Sequence, residues 1–229
     1  MTAAAHAAGP NPLSQTDVSP LPRSPGGHEL SAPDPARWAP GRIVVVRHGA
    51  TEWSRNRRHT GRTDLALEPD GETEARSVGE RLGKLRPALV LSSPLRRALD
   101  TCLLAGFGAQ VQVSDLLLEM DYGEYEGLTT AEVRQSRPGW DLFVDGCPGG
   151  ESIEDVGAQA DAFIERLTAD PGLAGKDVLV FAHGHVLRVM AARWAGLAPA
   201  DARRFVLGSG SSGVLGWEHE WTTISGWNC

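Results

Sequence analysis

Three short segments of the chain concentrate imidazole and guanidinium groups: Arg47-His48-Gly49, Arg96-Arg97 after Ser93-Pro94, and His183-Gly184-His185. Each follows closely on an apolar run: Ile43 to Val46, Leu89 to Leu91, and Val178 to Ala182. Three of the seven histidines thus fall at the ends of two such runs, which argues against a chance grouping. A neutral imidazole nitrogen is a nucleophile, and guanidinium groups stabilise the oxygens of a phosphoryl group in transfer. Arginine's planar fork holds two such oxygens at once. A departing alkoxide also needs a proton, which a nearby carboxylic acid can supply. Glu119, directly after Leu116-Leu117-Leu118, is the first candidate and Asp121 the second. Gly49 and Gly184 would let backbone approach a bound phosphate.

The elements that position these groups read as alternating strands and helices. Ile43-Val44-Val45-Val46, Leu89-Val90-Leu91 and Val178-Leu179-Val180-Phe181 have the continuous apolar pattern of strands buried on both faces. Val111 to Val113 is a further short strand, with β-like pieces near 205–207 and 214–217. Asp70 reads as the cap of a helix carrying Ala75, Val78, Leu82 and Leu85, stopped by Pro87. Ser93-Pro94 reads as the cap and first residue of a helix to about Ala105. Ser152 with Asp155 forms a capping box before Ile153, Val156, Ala160, Phe163, Ile164 and Leu167. A last helix follows His185 to about Gly196. The expected fold is α/β, in three layers: a mostly parallel sheet with helices on both faces. Ligands of such sheets bind beyond the carboxyl ends of the strands, where the three segments lie.

Those segments carry a family resemblance. Arg47-His48-Gly49-Ala50-Thr51 resembles the signature of the histidine phosphatase superfamily, which has the phosphoglycerate mutase-like fold. Ser93-Pro94-Leu95-Arg96-Arg97-Ala98 with Thr101, the segment Glu119 to Gly127, and Ala182-His183-Gly184-His185 resemble its other motifs, in order, within residues 42 to about 197. The resemblance implies that His48 is the phosphorylated nucleophile and that Arg47, Arg97 and His183 bind the phosphoryl group. It makes Glu119 the acid, then the base for water. It implies substrate contacts at Ser54, Thr60 and Gly61; Thr51, Tyr122 and Gly184 complete the expected binding set. It implies no metal and no other cofactor. Two positions depart from the commonest pattern, Ala50 for Glu and Ser54 for Asn. Positions 120 to 182, 63 residues, separate Glu119 from His183, too few for the insertion of the mutases, so a phosphatase is expected. Finer resemblances, at Glu52-Trp53-Ser54 and Asp145-Gly146-Cys147 among others, are to acid phosphatases and a sedoheptulose bisphosphatase, which suggests a small phosphorylated sugar. The rivals are a cofactor-dependent phosphoglycerate mutase and a non-catalytic module binding phosphorylated ligands.

Composition bounds the remainder. The chain has 229 residues, of which 41% are hydrophobic and 22% charged, enough for a globular core. A net charge of -7 argues against a nucleic-acid partner. No apolar run approaches a membrane span. Cys102, Cys147 and Cys229 are scattered, without a metal-binding or disulfide pattern, and the expected location is the cytoplasm. Residues 1–40, rich in Ala, Pro, Gly and Ser, read as a disordered leader before a domain spanning 41–229. A homodimer is compatible with all of this. Arg96 is expected outside and Arg97 inside. His59, His185 and Arg188 are left open as substrate contacts, and Trp53 and Trp140 are candidate pocket walls.

Overall fold

The computed structural model describes residues 39–229, so the leader read over 1–40 lies almost wholly outside the described residues. The elements run β1 (Arg42–Arg47), α1 (Glu52–Arg55), α2 (Pro69–Leu82), β2 (Leu89–Ser92), α3 (Arg96–Leu104) and β3 (Val111–Val113). Then come α4 (Thr130–Ser136), α5 (Leu142–Asp145), α6 (Ile153–Thr168), β4 (Asp177–Ala182), α7 (Gly184–Trp194), β5 (Ser212–Glu218) and β6 (Trp221–Trp227). Among the described residues, six strands form one sheet in the order β3-β2-β4-β1-β5-β6. The pairs β1–β4, β2–β4 and β2–β3 are parallel; β5 and β6 add antiparallel.

The alternation of side chains along a strand divides the core in two. Ile43, Val45, Val178, Val180 and Ala182 pack with α6 and α7, through residues such as Phe163, Leu187 and Met190. Val44, Val46, Leu179 and Phe181 pack with Val78 of α2 and Cys102 of α3. Both faces of β1 and β4 are thus covered, which is why their sequences are apolar without interruption. Register aligns the strand ends: Arg47 pairs with Ala182 and Ser92 with Phe181. The next residue of each chain segment, His48, His183 and Ser93, therefore emerges on one rim.

Several boundaries differ from the sequence reading. The cap of α2 is Glu68, with Pro69 in the first turn, not Asp70. Helix α3 begins at Arg96 after Leu95, not at Ser93-Pro94; the Ser93 hydroxyl accepts the Leu95 N–H (3.3 Å) and is also engaged by His183 (2.7 Å). Residues 205–207 form no strand, whereas β6 at the sheet edge was not anticipated. The Ser152–Asp155 capping box is present as read, a device of about 1 kcal/mol. Among the described residues no helix is long and apolar enough to cross a membrane.

Candidate active site

His48 follows β1 and is 4% exposed. Its Nδ1 lies 2.7 Å from the carbonyl oxygen of Gly49. A carbonyl only accepts, so Nδ1 carries the proton and Nε2 holds a free lone pair. Burial, then the charges of Arg47 and Arg97, push the imidazole well below its usual value and keep it neutral. The site requires Gly49 because a Cβ there would lie 2.2 Å from the Gly71 carbonyl oxygen at the start of α2. The close backbone approach anticipated for a phosphate is thus made, at Gly49, to a helix.

His183 packs 5.3 Å from His48, centroid to centroid, with the rings tilted by 57°. Arg97 Nε donates to His183 Nδ1 (3.1 Å), which fixes the other tautomer on this ring. Nε2–H then donates to Ser93 Oγ at 2.7 Å. Arg97 is fully buried in the first turn of α3. It also donates to three carbonyls of one loop, Thr60 (3.2 Å), Gly61 (2.9 Å) and Thr63 (2.9 Å). Its neighbour Arg96 points outward, as expected from the sequence, and pairs with Asp100.

Arg47 donates through Nη1 to the Leu207 carbonyl (2.6 Å). Its Nε is buried and has no hydrogen-bond partner among the described residues. The bare Cα of Gly184 lies beside this guanidinium. Beside Arg47 opens a polar cavity of about 330 Å³, lined by Ala50, Ser54, Arg55, Asp70, Glu74 and Ser209. Glu119 is 4% exposed and accepts from the backbone N–H groups of Met120 (3.1 Å), His185 (3.0 Å) and Val186 (2.9 Å). Two of these are otherwise unsatisfied donors at the start of α7, so the carboxylate caps the helix that carries the second histidine. Asp121 is half exposed and caps Gly123 instead.

The remaining expected residues divide. Thr51 is buried and caps α1, and the Ser54 hydroxyl closes that capping box while lining the polar cavity. The Thr60 hydroxyl donates to the Arg58 carbonyl. Tyr122 is buried, its Oη 2.6 Å from His185 Nδ1. Burial, then the charge of Glu119, raise its phenol well above the usual value, so it stays neutral. His59 stacks between Tyr122 and Trp140, while Trp140 is core and Trp53 packs on Gly127. Arg188 lies over the Phe143 ring (4.9 Å) and donates to the Ala202 carbonyl. Burial pushes the Cys147 thiol up to about 12, which leaves it no nucleophilic thiolate near neutral pH. Sequence reasoning missed two features. Ser93 was visible only as a helix cap, and the Leu207 carbonyl has no sequence signature at all.

The family model of the histidine phosphatase superfamily (branch 1) matches residues 43–229. The chain belongs to the histidine phosphatase superfamily. This histidine phosphatase is 42% identical over 180 residues to an acid phosphatase of Mycobacterium tuberculosis, covering 78% of this chain and 87% of that one. It is 36% identical over 184 residues to the sedoheptulose 1,7-bisphosphatase of Saccharomyces cerevisiae, covering 68% of each. A solved structure of a Mycobacterium tuberculosis open reading frame product superposes with a TM-score of 0.77 at 40% identity, covering 82% of this chain and 96% of that one.

Proposed function

We propose that this histidine phosphatase hydrolyses small phosphorylated sugars through a phosphohistidine at His48, in the cytoplasm. The observation that carries the reading is the tautomer of His48: Nδ1–H is tied to the Gly49 carbonyl, so the lone pair on Nε2 is the nucleophile. In the first step Nε2 attacks phosphorus, the P–O ester bond breaks, and the leaving oxygen takes a proton from the Glu119 carboxyl. In the second step water attacks phosphorus and gives a proton to the Glu119 carboxylate. The N–P bond then breaks, its electron pair returns to Nε2, and phosphate leaves.

The phosphoryl oxygens are held by Arg47 and Arg97, with Ser93 in reach. Ser93 Oγ already accepts from His183 Nε2 and from the Leu95 N–H, so its own proton remains for an oxygen acceptor. Support for a sugar comes from the bisphosphatase relative and from the polar cavity beside Arg47. The test is hydrolysis of p-nitrophenyl phosphate and of a panel of sugar mono- and bisphosphates. His48→Ala should abolish turnover and the acid-labile, base-stable phosphoenzyme, and EDTA should change neither. Turnover that survives the substitution would remove the mechanism.

A further inference from the structure

The buried guanidinium of Arg97 does not hold its place alone. Its Nη1 and Nη2 groups donate to the carbonyls of Thr60, Gly61 and Thr63, all in one short bend of the backbone. Two N–H groups of the same bend, those of Gly61 and Thr63, are taken by a single carboxylate. Glu126 accepts the Gly61 N–H at 2.9 Å and 3.0 Å through its two oxygens, and the Thr63 N–H at 3.1 Å through Oε1. Among the described residues no hydrogen bond or ion pair joins Glu126 to Arg97 directly. The two side chains grip one strip of backbone, Arg97 by its carbonyls and Glu126 by its N–H groups.

We infer that Glu126 is a positioning residue that sets the guanidinium of Arg97, through the 60–63 backbone, against the phosphoryl site; the inference rests on the phosphatase reading above. The strip has no slack on the Glu126 side. A Cβ at Gly61 would lie 2.5 Å from the Met120 carbonyl oxygen, 2.7 Å from Glu126 Oε2 and 2.9 Å from the Tyr122 ring. The base of the loop is held independently. His59 N–H donates to the Leu128 carbonyl, Gly127 N–H donates to the His59 carbonyl, and Arg58 donates to the Gly127 carbonyl. Loss of the carboxylate therefore frees residues 60–63, orphans the Gly61 and Thr63 N–H groups and lets the carbonyls drift. Arg97 drifts with them, and its Nε bond to His183 Nδ1 drifts too. Misplacement of a phosphoryl-binding group by about 1 Å costs on the order of 100-fold in rate.

The test is a double-mutant cycle on p-nitrophenyl phosphate, with thermal midpoints recorded for each variant. Glu126→Ala should lower kcat/KM about 100-fold in the wild-type background, and less than about threefold in an Arg97→Ala background. Inorganic phosphate should inhibit Glu126→Ala more weakly than wild type. Glu126→Gln should stay within about fivefold of wild type, because an amide oxygen still accepts both N–H groups. Glu126→Asp, one methylene short, should follow the alanine pattern and carries the test if the alanine variant does not fold. Equal losses in both backgrounds, or an alanine variant within threefold of wild type, would overturn the inference alone. An Arg97→Ala enzyme as active as wild type would overturn the reading of the phosphoryl site and this inference with it.

Discussion

The two ends of the sheet use arginine in opposite ways. At the amino end, Arg42 is 54% exposed and meets Asp177 with two parallel bonds, Nε at 2.9 Å and Nη2 at 2.6 Å. The hydrogen bond to that carboxylate raises the guanidinium above its usual value, and its charge is neutralised. At the carboxyl end, Arg97 is fully buried and its partners are three neutral carbonyls and a neutral imidazole. Arg47 donates to one neutral carbonyl and, among the described residues, its Nε has no partner. Burial lowers both guanidinium groups from their usual value, and the charge of Glu119 only partly opposes it. A buried charge bonded to neutral groups has its geometry fixed and its field left over. That leftover field is what an incoming phosphoryl group completes, and it separates a working cation from a structural one.

The sharpest way to break this comparison is to remove the buried member. Arg97→Ala should lower kcat/KM for p-nitrophenyl phosphate by about 1,000-fold, the scale seen when a preorganised donor to a developing anion is lost. Arg97→Lys should recover little, because one ammonium cannot reach His183 and three loop carbonyls together. A lysine enzyme within tenfold of wild type would mean that charge alone matters and the fixed geometry does not.

The imidazoles offer a second test at the same end of the sheet. Burial, first among the causes, pushes His48, His183 and His185 well below their usual value. The unfolded chain takes up protons on these rings below about pH 6.5, whereas the folded chain does not. The folded state therefore loses stability as pH falls from about 6.5 toward the depressed folded values. Each ring contributes up to about 1.4 kcal/mol per pH unit in that window. Urea midpoints at pH 7, 6 and 5 should fall steadily, while His48 stays a free base and turnover persists at pH 5. Stability that is flat across this range would show that the rings are solvated in the folded state.

A smaller effect is expected at Tyr122. Tyr122→Phe keeps the ring that packs against His59 but removes the hydroxyl beside His185 Nδ1. The orphaned ring nitrogen costs about 1–3 kcal/mol of stability, and kcat/KM should fall about tenfold or less, since no phosphoryl-binding cation moves. A loss as large as that of Arg97→Ala would place the phenol among the phosphoryl-binding groups.

How much of this was legible in the sequence follows the same division. Ile43 to Val46 and Val178 to Phe181 announce themselves because both faces of those strands are buried. The residues directly after them then fall on one rim by register alone. The start of α3 was misread because Ser93 looks like a helix cap, and only the three-dimensional position of His183 gives its hydroxyl another partner. Residues 205–207 look like a strand, yet the Leu207 carbonyl is taken by Arg47 instead of a neighbouring strand. The edge strand β6 is half exposed and lacks a continuous apolar run, so its pattern is weak. Backbone carbonyls bind Arg47 and Arg97 without regard to the side chains that bear them, and no residue type records that role.

The least effect should come from the exposed arginine, and its smallness is the point. Arg42→Ala removes the ion pair with Asp177 at the far end of β1, beyond four buried residues from Arg47. Exposed pairs of this kind contribute about 0.2–1 kcal/mol. Because both groups are reached by solvent ions, the loss should shrink between 0.15 M and 1 M salt. Turnover should stay within about twofold of wild type, since the strand between the two arginines is held by its packing on both faces. Stability and kcat/KM measured together at both salt concentrations check this. A tenfold drop in kcat/KM would mean that β1 transmits a disturbance from one end of the sheet to the other. The contrast between neutralised and unneutralised arginines would then not be a contrast between independent regions.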